Sequence, residues 1–235
     1  MSEFKKVNLT KTLEDNFARY AGMVIQDRAI VDVRDGLKPA ARQLAYAQYI
    51  DKLTYDKPFK KATKSVASGM SHFYVHGDAS AYSTLIRMGK PFAMRYPLEE
   101  VQGSYGNQME NDNEAASRYV EMKLSELGTH LFDSIEKNTI EEEDWRENYD
   151  GTEKYPAVLP SIGFYNLVQG STGIGVALAS SIPQFNLREM NSALIKLLWN
   201  EDVPFEEIYC APDFATGATI INGEEIKESI KNGTG

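Results

Sequence analysis

Arg118 and Tyr119 stand side by side, about forty residues downstream of His76, which opens the run HGDASAY. A tyrosine next to an arginine, following a helix suited to reading DNA, suggests a phenol that attacks phosphate. Opening a strand without losing the bond energy requires a nucleophile that stays attached to the phosphorus. Tyrosine suits this, since its phenolate is also a fair leaving group when the bond is remade. The obstacle is an ordinary phenol pKa of about 10. A cation within about 4–6 Å favours the phenolate and balances charge growing on the phosphorane. Arg118 is adjacent in sequence, whereas Arg28 and His76 reach the same spot only through folding. Taken alone, Tyr119 also reads as an ordinary tyrosine at a helix start.

The elements that must position these groups begin with a short helix after the tight His76-Gly77 turn. Asp78 reads as its N-cap and Gly89 as its stop. Ser80, Ser83 and Arg87 are then presented outward, with Tyr82, Leu85 and Ile86 inward. The preceding stretch KPFKKATKSVASGMS (residues 57–71) reads as a helix with Lys60, Lys61 and Lys64 along one flank. The pair resembles a helix-turn-helix with its recognition helix second. Arg95 and Tyr96 lead into a strand-prone section that reads as a wing, and residues 119–146 return to helical spacing.

Upstream, Thr12 and Asp15 read as a capping box for a helix striped by Leu13, Phe17, Tyr20 and Val24. Arg28 ends it, and VDVRDGLKP leads into a helix with Pro39 at N1. Arg28, Arg34, Lys38 and Arg42 crowd that helix start, where cations oppose the macrodipole and an anionic ligand offsets the cost. Residues 1–9 are polar and expected to fray. Past a Pro/Gly-rich boundary near 150–160, a helix is expected over 187–199, and then strand, Asn-Gly turn and helix start over 218–233.

The formal charge of −9 argues against nucleic acid at first sight. Its distribution points the other way: residues 28–95 hold twelve Lys+Arg against five Asp+Glu, leaving an acidic remainder. With 42% hydrophobic residues the chain can build a core. No apolar run of membrane-spanning length or signal sequence occurs, so a soluble cytoplasmic protein is expected. Lone Cys210 excludes an intrachain disulfide or a Cys-based zinc site and reads as a small buried hydrophobe.

Six runs occur in order: DVRDGLKP (32–39), HGDASAY (76–82), QGSYG (102–106), AASRY (115–119), NYDGTEKYP (148–156) and GSTGIGVA (170–177). Together they resemble the DNA-cleaving A subunit of bacterial type IIA topoisomerases, DNA gyrase and topoisomerase IV alike, over roughly residues 17–235. The resemblance implies an α+β fold: an N-terminal arm (1–27), a winged-helix DNA-gate domain (28–150) and the start of an α/β tower domain (151–235). The family continues past the position of Gly235, so a fragment is expected.

By the same resemblance Tyr119 is the nucleophile that forms a 5′-phosphotyrosyl link, assisted by Arg118, Arg28 and His76. Lys38 and Arg42 match DNA-backbone contacts, joined by Gln169, Ser171 and Thr172. Ile174 matches an isoleucine that wedges between base pairs, raised between Gly173 and Gly175; its plainer reading is a core isoleucine. The family's fluoroquinolone-anchoring serine and acidic residue correspond to Ala79 and Ser83. Tyr74 replaces a family histidine, and Ala41 and Gln43 stand where His and Arg are usual. No DxD cluster or Gly-x-x-x-x-Gly-Lys loop occurs. Mg2+ and ATP are therefore expected on a Toprim/ATPase B subunit, within an A2B2 heterotetramer built on an A-subunit homodimer that works on double-stranded DNA. The fragment alone is expected to cleave little. The rival reading is a non-catalytic winged-helix DNA-binding protein.

Overall fold

Pro39 occupies the first turn of the helix around which the largest core assembles: α2, Pro39–Ile50, entered from Lys38 in extended conformation. The computed structural model describes residues 8–109, 112–137, 140–159 and 165–234. Of residues 1–9, expected to fray, 1–7 lie outside them, whereas Asn8 and Leu9 open the first helix. Upstream, α1 (Leu9–Val24) is capped by Asn8, whose side chain accepts from the Lys11 N–H, so the expected Thr12–Asp15 capping box is not the device used. The helix widens into a π-helical segment, Ile25–Ala29, closed by an Ile30 N–H to Ile25 carbonyl bond of 3.1 Å.

Helix α2 buries Leu44, Ala45, Tyr46 and Ala47 against α3 (Ala62–His72) and α4 (Asp78–Gly89). The α2–α3 approach depends on Gly69, where an added Cβ would lie 2.3 Å from Leu44 Cδ2. The turn into α4 passes through Gly77 at φ +72°, the left-handed region open to glycine. Gly77, not Asp78, is the N-cap; Asp78 is the first helical residue, and its carboxylate accepts from the Ala79 N–H at 2.9 Å.

Three antiparallel strands complete this layer in the order β1–β3–β2: β1 (Lys60–Lys61), β2 (Glu99–Gln102) and β3 (Glu121–Leu124). Two helical expectations are corrected here. Lys60 and Lys61 pair with Met122 and Glu121 rather than start a helix, and 121–124 is strand. Met122 and Leu124 are fully buried, which is the period-two pattern of a half-buried strand. Beyond it lie the short helices α5 (Glu126–His130) and α6 (Asp133–Glu136).

A hairpin of β4 (Trp145–Glu147) and β5 (Lys154–Pro156) leads to α7 (Tyr165–Gln169) and a second hairpin, β6 (Ser171–Ile174) with β7 (Ala179–Ile182). Next come α8 (Leu187–Trp199), α9 (Phe205–Ile208) and α10 (Gly223–Asn232). Asn186 caps α8, whose bounds match expectation. No strand forms at 218–221. Cys210 is buried with Phe185 and Ala193 in a small second core. The two cores are tied by Arg95–Asp213 at 2.9 Å and by Gln184 donating to the Ala93 carbonyl at 2.9 Å. No described helix is long and apolar enough to cross a membrane.

Candidate nucleic-acid interface

Tyr119 lies at the end of a turn, its N–H bonded to the Ala116 carbonyl at 2.8 Å. That turn is fastened on three sides. The first turn of α3 holds it through Ala62 N–H to the Val120 carbonyl (2.9 Å) and Thr63 N–H to the Ser117 carbonyl (3.3 Å). The Tyr82 hydroxyl of α4 donates to the Ala115 carbonyl at 2.5 Å, and Ala115 N–H reaches the Ser104 carbonyl beyond β2 at 2.9 Å. Neighbouring Val120 is fully buried, yet Tyr119 is 64% exposed. Arg118 lies over its ring, the guanidinium carbon 4.7 Å from the centroid. The backbone is fixed while the phenol faces outward, beside a cation.

Arg28 is exposed on the π-helical segment, and His76 is exposed just before α4. His76 packs edge-on to Tyr74 at 5.5 Å. Tyr74 itself is buried and its hydroxyl bonds Ser80 Oγ at 2.7 Å, which holds the Ser80 side chain in place. Among the described residues no hydrogen bond or ion pair joins Arg28 or His76 to Tyr119 within one chain.

Ala79, Ser83 and Arg87 lie exposed along α4. Ser83 and Arg87 border a cavity of about 690 Å3 with Lys38, Ser171 and Thr172 across it. Lys38 donates to the Thr172 carbonyl at 2.7 Å; burial and then the Arg87 charge hold its pKa below the usual lysine value. Lys60 and Lys64 are exposed, and Lys61 pairs with Glu121 at 2.9 Å.

Ile174 is 85% exposed at the end of β6. Side chains alternate along a strand, and Gly173 and Gly175 take the positions facing the π-helical segment. A Cβ at Gly173 would lie 1.8 Å from the Ala29 carbonyl oxygen, and one at Gly175 would lie 3.2 Å from Ile25 Cγ1. The two glycines let the strand press down, which turns Ile174 to solvent. It is not a core isoleucine.

Two expected DNA contacts are corrected. Arg42 is buried, with Nε and Nη2 on Asp35 and Nη2 also on the Leu37 carbonyl, so its guanidinium is committed inside the fold. Gln169 is buried too, bonded to the Tyr96 backbone and the Tyr165 hydroxyl. Arg34 is also engaged, with Asp32 at 3.0 Å and Asp144 at 3.3 Å. Asp35 anchors Arg42 and accepts the Leu37 and Leu159 N–H groups. A signal existed: Arg42 shares a helical face with buried Ala45 and Tyr46, and Gln169 is one turn from Tyr165.

The family profile of the DNA gyrase/topoisomerase IV A subunit matches residues 28–235. The A subunit of DNA gyrase from Mycoplasma genitalium is 41% identical over 237 residues, covering 100% of this chain and 28% of the relative. Its counterpart from Thermotoga maritima, of the same name, is 40% identical, covering 98% of this chain and 29% of its own length. The A subunit of DNA topoisomerase 4 from Streptococcus pneumoniae is 39% identical over 238 residues, covering 100% of this chain and 28% of the relative. The chain thus spans less than a third of the length of these relatives.

Proposed function

The chain belongs to the family of DNA gyrase and topoisomerase IV A subunits, and from that premise we propose that it is the DNA-cleaving portion of a type IIA topoisomerase. The observation that carries the reading is the exposed Tyr119 phenol beside Arg118 on a turn whose backbone is fixed. In this reading, α2, α3 and α4 with the β1–β3–β2 sheet form a winged helix over 28–150, and residues 151–235 begin a tower domain.

The Tyr119 phenol gives its proton to solvent as its oxygen attacks a backbone phosphorus; the bond to the 3′ oxygen breaks, and that oxygen takes a proton from solvent and leaves as a hydroxyl. The product is a 5′-phosphotyrosyl link, and the reverse attack religates the strand. Arg118 lowers the energy of the phenolate and of the crowded phosphorane. Arg28, as a second cation, and His76, as a hydrogen-bonding imidazole, join the surroundings of the phosphate once DNA and a second copy of the chain are in place. Two A subunits cut the two strands, and a second duplex passes through. In this reading Lys38, Lys60, Lys61, Lys64, Ser80, Arg87, Ser171 and Thr172 serve the DNA backbone, and Ile174 wedges the duplex.

Among the described residues no three His, Cys, Asp or Glu side chains converge as metal ligands. We assign Mg2+, which supplies charge at the phosphate oxygens, to a B-type partner subunit in an A2B2 assembly, together with ATP hydrolysis. The test is to trap a covalent adduct between DNA and the full A subunit in the presence of the cognate B subunit. An adduct formed by the native protein and absent in Tyr119→Phe supports the reading. DNA binding without any adduct leaves only a winged-helix binding protein.

A further inference from the structure

The contact between Gly173 and Ala29 joins two groups that the proposed reaction uses for different purposes. Arg28 immediately precedes Ala29, and Ile174 immediately follows Gly173. Ala29 is buried and Arg28 exposed, as neighbouring residues on a helical turn point in different directions. Ala29 therefore faces β6 while Arg28 faces away. On β6 the phase is complementary: Gly173 and Gly175 face the segment and Ile174 does not. A hydrogen at position 173 is what lets backbone meet backbone, since a Cβ there would lie 1.8 Å from the Ala29 oxygen, against about 3.5 Å for ordinary contact. A second tie, Lys38 Nζ to the Thr172 carbonyl at 2.7 Å, holds the same strand to the start of α2.

We propose that Gly173 is a positioning residue that makes the Ile174 hairpin and the Arg28 segment one rigid unit, so that insertion of the wedge and delivery of the guanidinium to the scissile phosphate occur together. This rests on the topoisomerase reading above. The coupling is mechanical and local: bending the duplex at Ile174 loads the strand that carries Gly173, and the load reaches Arg28 through one peptide group. DNA that does not bend then fails to bring Arg28 into place, which links sequence-dependent deformability to cleavage.

The test uses the full A subunit with its B subunit, reading duplex bend by fluorescence energy transfer and adduct formation on the same DNA. Gly173→Ala must push the segment back by more than about 1 Å, and a misplacement of that size lowers a positioned reaction by up to about a hundredfold. The expected result is reduced bend together with cleavage at least about tenfold slower. In an Arg28→Ala background, Gly173→Ala should slow cleavage no further. Ile25→Ala, which removes the packing under Gly175 without any clash, should lower both readouts more mildly at a temperature well below its own melting transition. It decides the matter should Gly173→Ala not fold. Native bending with slow cleavage, multiplicative effects of Gly173→Ala and Arg28→Ala, or native behaviour of Ile25→Ala would each overturn the coupling. Absence of any adduct in the native protein would instead defeat the underlying reading.

Discussion

Asp35 grips Arg42 through two hydrogen bonds, 2.5 Å to Nε and 2.8 Å to Nη2, with 0% and 4% of their side chains exposed. Truncating one member of such a pair leaves a buried, uncompensated charge, at a cost of about 3–5 kcal/mol. Arg42→Ala is expected to lower unfolding stability by that order in urea titration. Arg42→Met combined with Asp35→Leu should recover little of it, because the Leu37 and Leu159 N–H groups lose their buried acceptor. A surface phosphate contact would behave oppositely, losing DNA affinity with stability intact.

Glu99 lies fully buried in β2, and burial raises its pKa to about 8 despite the N–H bond from Gln48 that pulls it down. The folded state therefore keeps the proton that the unfolded chain releases near pH 4.5. The protonated form's stability is fully present below that value and is lost as pH rises through about 8. Glu99→Gln should flatten this slope and gain on the native protein as pH rises. Chemical denaturation at pH 5 and pH 8.5 measures the difference.

Ile174→Ala should leave the melting temperature almost unchanged, within about 0.5 kcal/mol of native stability, because an exposed side chain supports little packing. Its effect should appear in the DNA, as a smaller bend angle and fewer cleaved complexes. A large drop in stability would return Ile174 to the core.

Ala79 and Ser83 lie one turn apart on α4 and offer a methyl and a hydroxyl. Neither replaces a carboxylate in a water–metal bridge to a fluoroquinolone. The native heterotetramer should show weak drug-stabilised cleavage, and Ala79→Ser with Ser83→Glu should strengthen it severalfold. Strong stabilisation in the native protein, lost on changing either residue, would refute the assignment.

Much of this arrangement could be read from residue types, and the failures have physical causes. Helix α8 was legible because Asn186 is a good cap and the apolar period runs unbroken to Trp199. Strand β3 was not: Met122 and Leu124 sit two apart, but Leu127 and Leu131 follow at helical intervals, so a short strand and a later helix fused into one apparent period. Lys60 and Lys61 became strand because β3 offered them partners, a tertiary override of local propensity. The Tyr119 turn and the Gly-flanked Ile174 stood out as motifs, whereas the fate of Arg42 and Gln169 depended on burial that polar residue types conceal. The approach of Gly173 to Ala29 joins segments over a hundred residues apart, and no local pattern could announce it.

The Tyr119 turn is sewn into the first turn of α3, the side of α4 and the end of β2, so it cannot swing as a free loop. A severed strand end joined to its phenol would travel only when the whole helix–sheet body travels. In the proposed reaction, the width of any opening would then be set by how far two such bodies part, and resealing would need only their return, because each 5′ end would have been carried, never released.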